Sequence, residues 1–196
     1  MAPQSPGAPA SGAPDPLSDV LRAVRLRGAI YFYVSCRDEW GAEAPPARAI
    51  ADTVLPGAEH VLAYHMIVKG SGWAATGGVA PVRLATGDIV MFPRGDAHVM
   101  SSAPGMRADR VDTGFYFTPR PPQLPFALTV NGQGVTTARL DGGGRDQATV
   151  VCGFLGCDAK PFNPLLASLP RVLRMPGAAA GEASWIASFL LSAVDE

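Results

Sequence analysis

Turn signals interrupt the chain every few residues between positions 46 and 155, and nothing else limits its possible folds so strongly. Pro56-Gly57, Gly70-Ser71-Gly72, Gly77-Gly78, Gly87-Asp88, Pro93-Arg94-Gly95, Asn131-Gly132 and Gly142-Gly143-Gly144 punctuate runs too short for stable helices. The runs at 61–68, 73–75, 82–84, 89–92, 97–100 and 149–155 are apolar and mostly of strand length. Many short strands joined by tight turns predict antiparallel pairing in a mainly β sandwich or jelly-roll barrel. The aromatic run at 29–34 predicts its first strand, and the Pro-, Arg- and Asp-rich stretch 106–125 a long connection over a barrel mouth.

The ends read differently. After Met1, residues 2–14 are Ala, Pro, Gly and Ser with one Gln, too little apolar surface to offset ordering, so residues 1–14 are expected to form a disordered tail. Asp15-Pro16 is a cap followed by a first-turn proline, and Leu17, Val20, Leu21 and Val24 recur at helical spacing up to Gly28. Asn163-Pro164 repeats that signal ahead of Leu165, Leu166 and Leu169, and Pro170 stops the helix. Trp185, Ile186, Phe189, Leu190 and Val194 then share one face of a helix over 182–194, which either packs on the barrel or pairs with a second copy. The expected organisation is a tail (1–14), a barrel with an N-terminal helix (15–160) and C-terminal helices available for dimerisation (161–196).

Charge and cysteine usage exclude several functions. Sixteen basic against seventeen acidic residues leave a formal charge of -1, without the basic face that duplex DNA requires. Direct DNA binding by this chain is not expected. No apolar run precedes Pro16, so neither a secretory signal nor a membrane span is expected. Cys36, Cys152 and Cys157 are odd in number and unpaired in spacing, which fits a reducing cytoplasm.

The most specific local signal runs from Gly87 to His98: a turn at Gly87-Asp88, a strand, a stop at Pro93, a turn needing positive φ at Gly95, and His98 opening the next strand. This unit resembles the second cupin motif, in which Gly, five residues, Pro, one residue, Gly, two residues and His follow in order. Ser102 stands where that family carries Asn. Val61 to Gly70 resembles the close of the first motif, but the family's metal-binding Glu falls on Ala63 and its two His on Gly57 and Glu59. His65 shares a strand face with Ala63. The wider pattern resembles the effector-binding cupin domain of AraC-type transcriptional regulators, over roughly residues 15 to 195, through Tyr64-His-Met-Ile-Val-Lys-Gly, Pro93-Arg-Gly-Asp-Ala-His, Val151-Cys-Gly-Phe and Asn163-Pro-Leu-Leu.

That resemblance implies a cupin-type double-stranded β-helix with flanking N- and C-terminal helices, sensing a small-molecule effector and pairing as a homodimer. The helix-turn-helix reader of such regulators has no counterpart in this sequence. The alternative is a metal-dependent cupin enzyme of dioxygenase or isomerase type. Candidate ligand contacts are His65, His98, Tyr33 and Trp73, with Tyr31, Trp40 and Phe92 as further walls of an apolar pocket or as plain core. His65, His98 and Cys152 form a candidate Zn²⁺ set, with water or Glu59 in the fourth place; each also has an ordinary reading as a buried, satisfied side chain. Cys157, five residues from Cys152, falls on the opposite strand face.

Overall fold

A computed structural model describes residues 27–107, 114–117, 126–132, 134–136, 146–157 and 168–177. The expected tail, the helix after Asp15 and the helix over 182–194 lie outside the described residues, as does nearly all of the helix after Asn163. Among the described residues no helix is long and apolar enough to cross a membrane.

Among the described residues ten strands follow in order: β1 (Arg27–Arg37), β2 (Gly41–Ala44), β3 (His60–Thr76), β4 (Val82–Ala85), β5 (Ile89–Phe92), β6 (His98–Ser101), β7 (Phe126–Asn131), β8 (Gly134–Thr136), β9 (Asp146–Cys157) and β10 (Leu173–Met175). One hydrogen-bonded path runs β10-β5-β3-β9-β1-β7-β8, while β6 links β2 to β3 and β4 also pairs with β3. Pairing is antiparallel except between β1 and β7, which run parallel with Phe32 opposite Phe126. The sheet thus wraps into a nearly closed barrel.

Strand β3 makes this wrapping possible. Its first part pairs with β9 and β5, and its last part with β4 and β6. Gly70-Ser71-Gly72, expected to be a turn between two strands, lies inside this single 17-residue strand. The pairing with β9 shifts register between Ile67 and Lys69, and Gly70 takes φ 82. A bulge plus a left-handed glycine bends the strand from one side of the barrel to the other without ending it.

The remaining differences have similarly local causes. Asn131-Gly132 does close a hairpin, joining β7 to β8 with Val130 opposite Val135. Strand β10 stands where the sequence shows only a change toward helical pattern; its three residues pair with the far edge of β5. A single helical turn, α1 (Ala51–Val54), and the 3-10 turn before it (Ala47–Ala49) bring Ala47, Ile50 and Val54 into the core.

The segment 168–177 is tied to the barrel by ion pairs. Arg171 grips both carboxylate oxygens of Asp96 at 2.9 Å and also donates to the Gly77 carbonyl at 2.8 Å. Asp88 accepts from the Ala85 and Gly177 amides and, at 2.8 Å, from Arg174. Burial pushes the Asp88 carboxyl up, but these donors outweigh it and hold the group below its ordinary range.

Candidate functional site

The unit from Gly87 to His98 places one imidazole at the barrel's inner wall. Gly87 (φ 90) donates its amide to the Ile67 carbonyl, and Gly95 (φ 66) donates to the Phe92 carbonyl. Gly95 has a second requirement besides φ: a Cβ there would come within 2.7 Å of the Val61 carbonyl oxygen. The returning strand therefore starts at His98 with its ring flat on Phe92, centroids 3.8 Å apart and planes 13° from parallel.

His65 sits on β3 directly opposite Cys152 on β9, so the two side chains leave the same sheet face. His65 Nδ1 lies 2.9 Å from Cys152 Sγ, and His65 Nε2 lies 2.7 Å from His98 Nε2. His98 Nδ1 lies 3.0 Å from the Asp96 carbonyl oxygen. That carbonyl can only accept, and it settles the protons of the whole chain. His98 must carry its proton on Nδ1, leaving Nε2 bare. His65 then donates from Nε2, and its own bare Nδ1 accepts from the Cys152 thiol.

Every member of this chain is neutral. Burial, reinforced by His98, holds His65 well below its ordinary pKa, and burial lowers His98 to about 4 despite the Asp96 carbonyl and carboxylate. Burial pushes the Cys152 thiol up to about 12. A thiol of that kind is a poor nucleophile.

Around the chain lies a mainly apolar cavity of about 70 Å³ that opens to solvent, several times the room that one water needs. Its walls include Phe32 and Val34 from β1, Leu128 and Val130 from β7, Val150 and Phe154 from β9, and Ile50 from the turn before α1. Tyr116, in the connection between β6 and β7, also lines it and meets Phe32 and Phe154 edge-on at 5.6 and 6.3 Å.

Of the expected contacts, His65, His98 and Cys152 come together on this wall, and Tyr33 and Trp73 do not line it. Tyr33 is flanked by Phe32 and Val34, which do, so strand alternation turns it to the other face. Trp40, named only as a further wall, lines the cavity. Tyr116 carried no signal in the sequence, since it belongs to an irregular segment without periodicity.

The three donors do not converge on a point. Cys152 and His98 occupy opposite nitrogens of the His65 ring, so one ion facing both Nε2 atoms would leave the sulfur on the far side of an imidazole. Glu59 is exposed and outside the cavity wall, and Ala63 fills the position of the family's glutamate. The donor set therefore falls short of the three protein ligands of a catalytic zinc site. Among the described residues no cluster of three or more His, Cys, Asp or Glu could hold a metal.

Comparison with curated proteins gave no match. Among solved structures, YhaK of Escherichia coli is similar at 9% identity, with 77% of this chain and 40% of that one covered and a TM-score of 0.31. ToxT of Vibrio cholerae O395 is similar at 5% identity, with 85% of this chain and 45% of that one covered and a TM-score of 0.37. This chain thus spans less than half of either, and such slight likenesses bear no weight for function. The family profile for cupins matches residues 15–196, the stretch over which the sequence resembles effector-binding cupin domains of AraC-type regulators. With Gly87, Pro93, Gly95 and His98 placed as the second motif requires, the chain belongs to the cupin family.

Proposed function

We propose that this chain is the effector-sensing and dimerising module of an AraC-type transcriptional regulator, acting in the cytoplasm and leaving DNA contact to a helix-turn-helix domain. The observation that carries this reading is the cavity: apolar walls, one uncharged polar chain, and no activated nucleophile or convergent metal set among the described residues. Such a site suits binding without turnover. The metal-dependent enzyme reading is disfavoured because Cys152 and His98 face opposite sides of His65.

A panel of small molecules screened by thermal unfolding tests it, since a ligand at a hundred times its Kd stabilises by roughly 2.7 kcal/mol. At least one compound is expected to raise the wild-type melting temperature and to be recovered unchanged, and His98→Ala is expected to weaken it about tenfold or more, at about 1.4 kcal/mol per decade, while circular dichroism stays native. Conversion of the compound, or a His98→Ala protein that unfolds while its residual folded fraction binds normally, defeats the proposal.

Pairing is part of the same proposal. The stripe Trp185, Ile186, Phe189, Leu190 and Val194 is apolar enough to require cover, and a two-fold partner supplies it by the commonest oligomeric arrangement. Sedimentation is expected to show a dimer that Phe189→Asp with Leu190→Asp converts to a folded monomer. A wild type that remains monomeric at high micromolar concentration rules pairing out.

A further inference from the structure

The segment 168–177 docks on the same unit, Gly87 to His98, that carries one of the cavity's imidazoles. Arg94 donates to the Leu169 carbonyl at 3.3 Å, Asp96 takes the guanidinium of Arg171, Asp88 takes that of Arg174 and the Gly177 amide, and β10 pairs with β5. Gly177 lies so near the turn that a Cβ there would come within 2.6 Å of the Gly87 carbonyl carbon.

Asp96 faces both ways. Its backbone carbonyl, at 3.0 Å, accepts the Nδ1 proton of His98 on the cavity side, while both carboxylate oxygens, at 2.9 Å, accept from Arg171 on the side of the segment. The flanking carbonyls are held by the barrel itself: Gly95 accepts from the Ala47 amide at 2.9 Å, and Ala97 from the Thr76 hydroxyl at 2.7 Å. What is left for Arg171 to govern is the peptide of Asp96. A planar fork fixes the orientation of a carboxylate as well as its position, and the Gly77 carbonyl fixes the fork in turn.

The cavity's proton chain has two self-consistent arrangements. With the proton of His98 on Nε2 instead of Nδ1, His98 would donate to His65 Nε2 and His65 would donate from Nδ1 to Cys152, so the whole chain reverses. The Asp96 carbonyl selects between them. Resting on the sensing role argued above, we propose that Arg171 is a positioning residue for that site: through Asp96 it holds His98 in the Nδ1-protonated tautomer, which couples events at His98 in the cavity to the docking of 168–177. Linkage makes the coupling reciprocal. A small molecule that draws His98 away from the Asp96 carbonyl loosens the segment, and a loosened segment releases the His98 tautomer.

The full chain labelled with ¹⁵N-histidine reads the tautomer directly, since protonated and bare ring nitrogens resonate far apart and the sequence holds three histidines, His60, His65 and His98. His60→Gln and His98→Gln assign the signals by disappearance. The wild type is expected to show His98 with a protonated Nδ1 and a bare Nε2. Arg171→Ala is expected to draw these two signals together as the reversed tautomer becomes populated, and so is Asp96→Asn, which keeps the backbone carbonyl. Arg174→Ala loosens the same segment at Asp88, at the other end of β5, and is expected to leave the His98 signals in place. In the reverse direction, His98→Ala is expected to speed amide exchange across 168–177 about fivefold more than across β9, the lower end of allosteric couplings. With Arg171 already Ala, the same change is expected to add less than about twofold. Unmoved His98 signals in Arg171→Ala and Asp96→Asn, equal movement in Arg174→Ala, or exchange that rises no more in 168–177 than in β9 overturns the coupling and leaves the sensing cavity standing. If Arg171→Ala does not fold, Asp96→Asn decides by the same signals. Both measurements as expected, with a compound panel that yields no ligand, support the link from His98 to the segment and remove the sensing role alone.

Discussion

Replacing Gly70 by Ala is expected to cost about 2–5 kcal/mol, roughly 1–2 from the left-handed backbone and about 1–3 from overpacking. That is a large part of the stability of an ordinary domain. Gly70 takes φ 82, and its missing side chain faces backbone. A Cβ would collide with the Gln147 carbonyl oxygen and approach Ala148 Cα to 2.9 Å. Both atoms belong to β9, which is locked against β1 and β3 and cannot withdraw cheaply. Gly77→Ala is the control, because a Cβ there meets nothing within 4 Å, and it should shift stability by less than about 0.5 kcal/mol. Urea unfolding of both variants checks the pair. A Gly70→Ala protein within about 1 kcal/mol of wild type, against the expected backbone penalty, would mean that the bend in β3 is not held by this contact.

The same glycine shows where sequence reading runs out. Gly70-Ser71-Gly72 has the composition of a turn, and only the backbone of β9 reveals that the chain bends there without leaving the sheet. Features decided locally were legible. The run at 89–92 is β5 itself, and Gly87, Pro93 and Gly95 stand at the turns that their chemistry demands. Alternation also held, since Ala63 and His65 line one wall and Cys157 points away from Cys152's cavity. Tyr33 runs against the parity that Phe32 and Val34 set on β1, and Trp73, on β3 beside the buried Ala74, also falls outside the wall. Strands β2, β7, β8 and β10 are not legible in the sequence, because four, six, three and three residues beside irregular chain show too little pattern. Cys152 and His65 are 87 residues apart, and which ring nitrogen meets which partner depends on rotamers that no spacing encodes.

Acidification from pH 7.5 to 4.5 is expected to remove about 3 kcal/mol of stability through His98 alone, at about 1.4 kcal/mol per pKa unit. The folded protein keeps His98 neutral down to about 4, whereas the unfolded chain protonates it near its ordinary 6.5. Between those values the unfolded state binds more protons, so stability is complete above 6.5 and is lost as the pH falls. His65, also held low by burial and by His98, adds a loss of the same sign. Burial raises Cys152 to about 12 and pushes Tyr116 well above its ordinary value, so both stay neutral. Asp96 is lowered chiefly by Arg171, and Asp88 is lowered too, so their contributions are present above the unfolded carboxylate pKa and fade only below it. His98→Gln separates the causes, because its amide can accept from His65 and donate to the Asp96 carbonyl without titrating. Urea unfolding across the range should show the wild type taking up close to two protons on unfolding at pH 5, and the variant about one fewer. A wild-type stability that stays flat from pH 7 to 5 would show that the imidazoles are hydrated or charged in the folded protein. The neutral proton chain from Cys152 to the Asp96 carbonyl would then be the wrong description of the cavity wall.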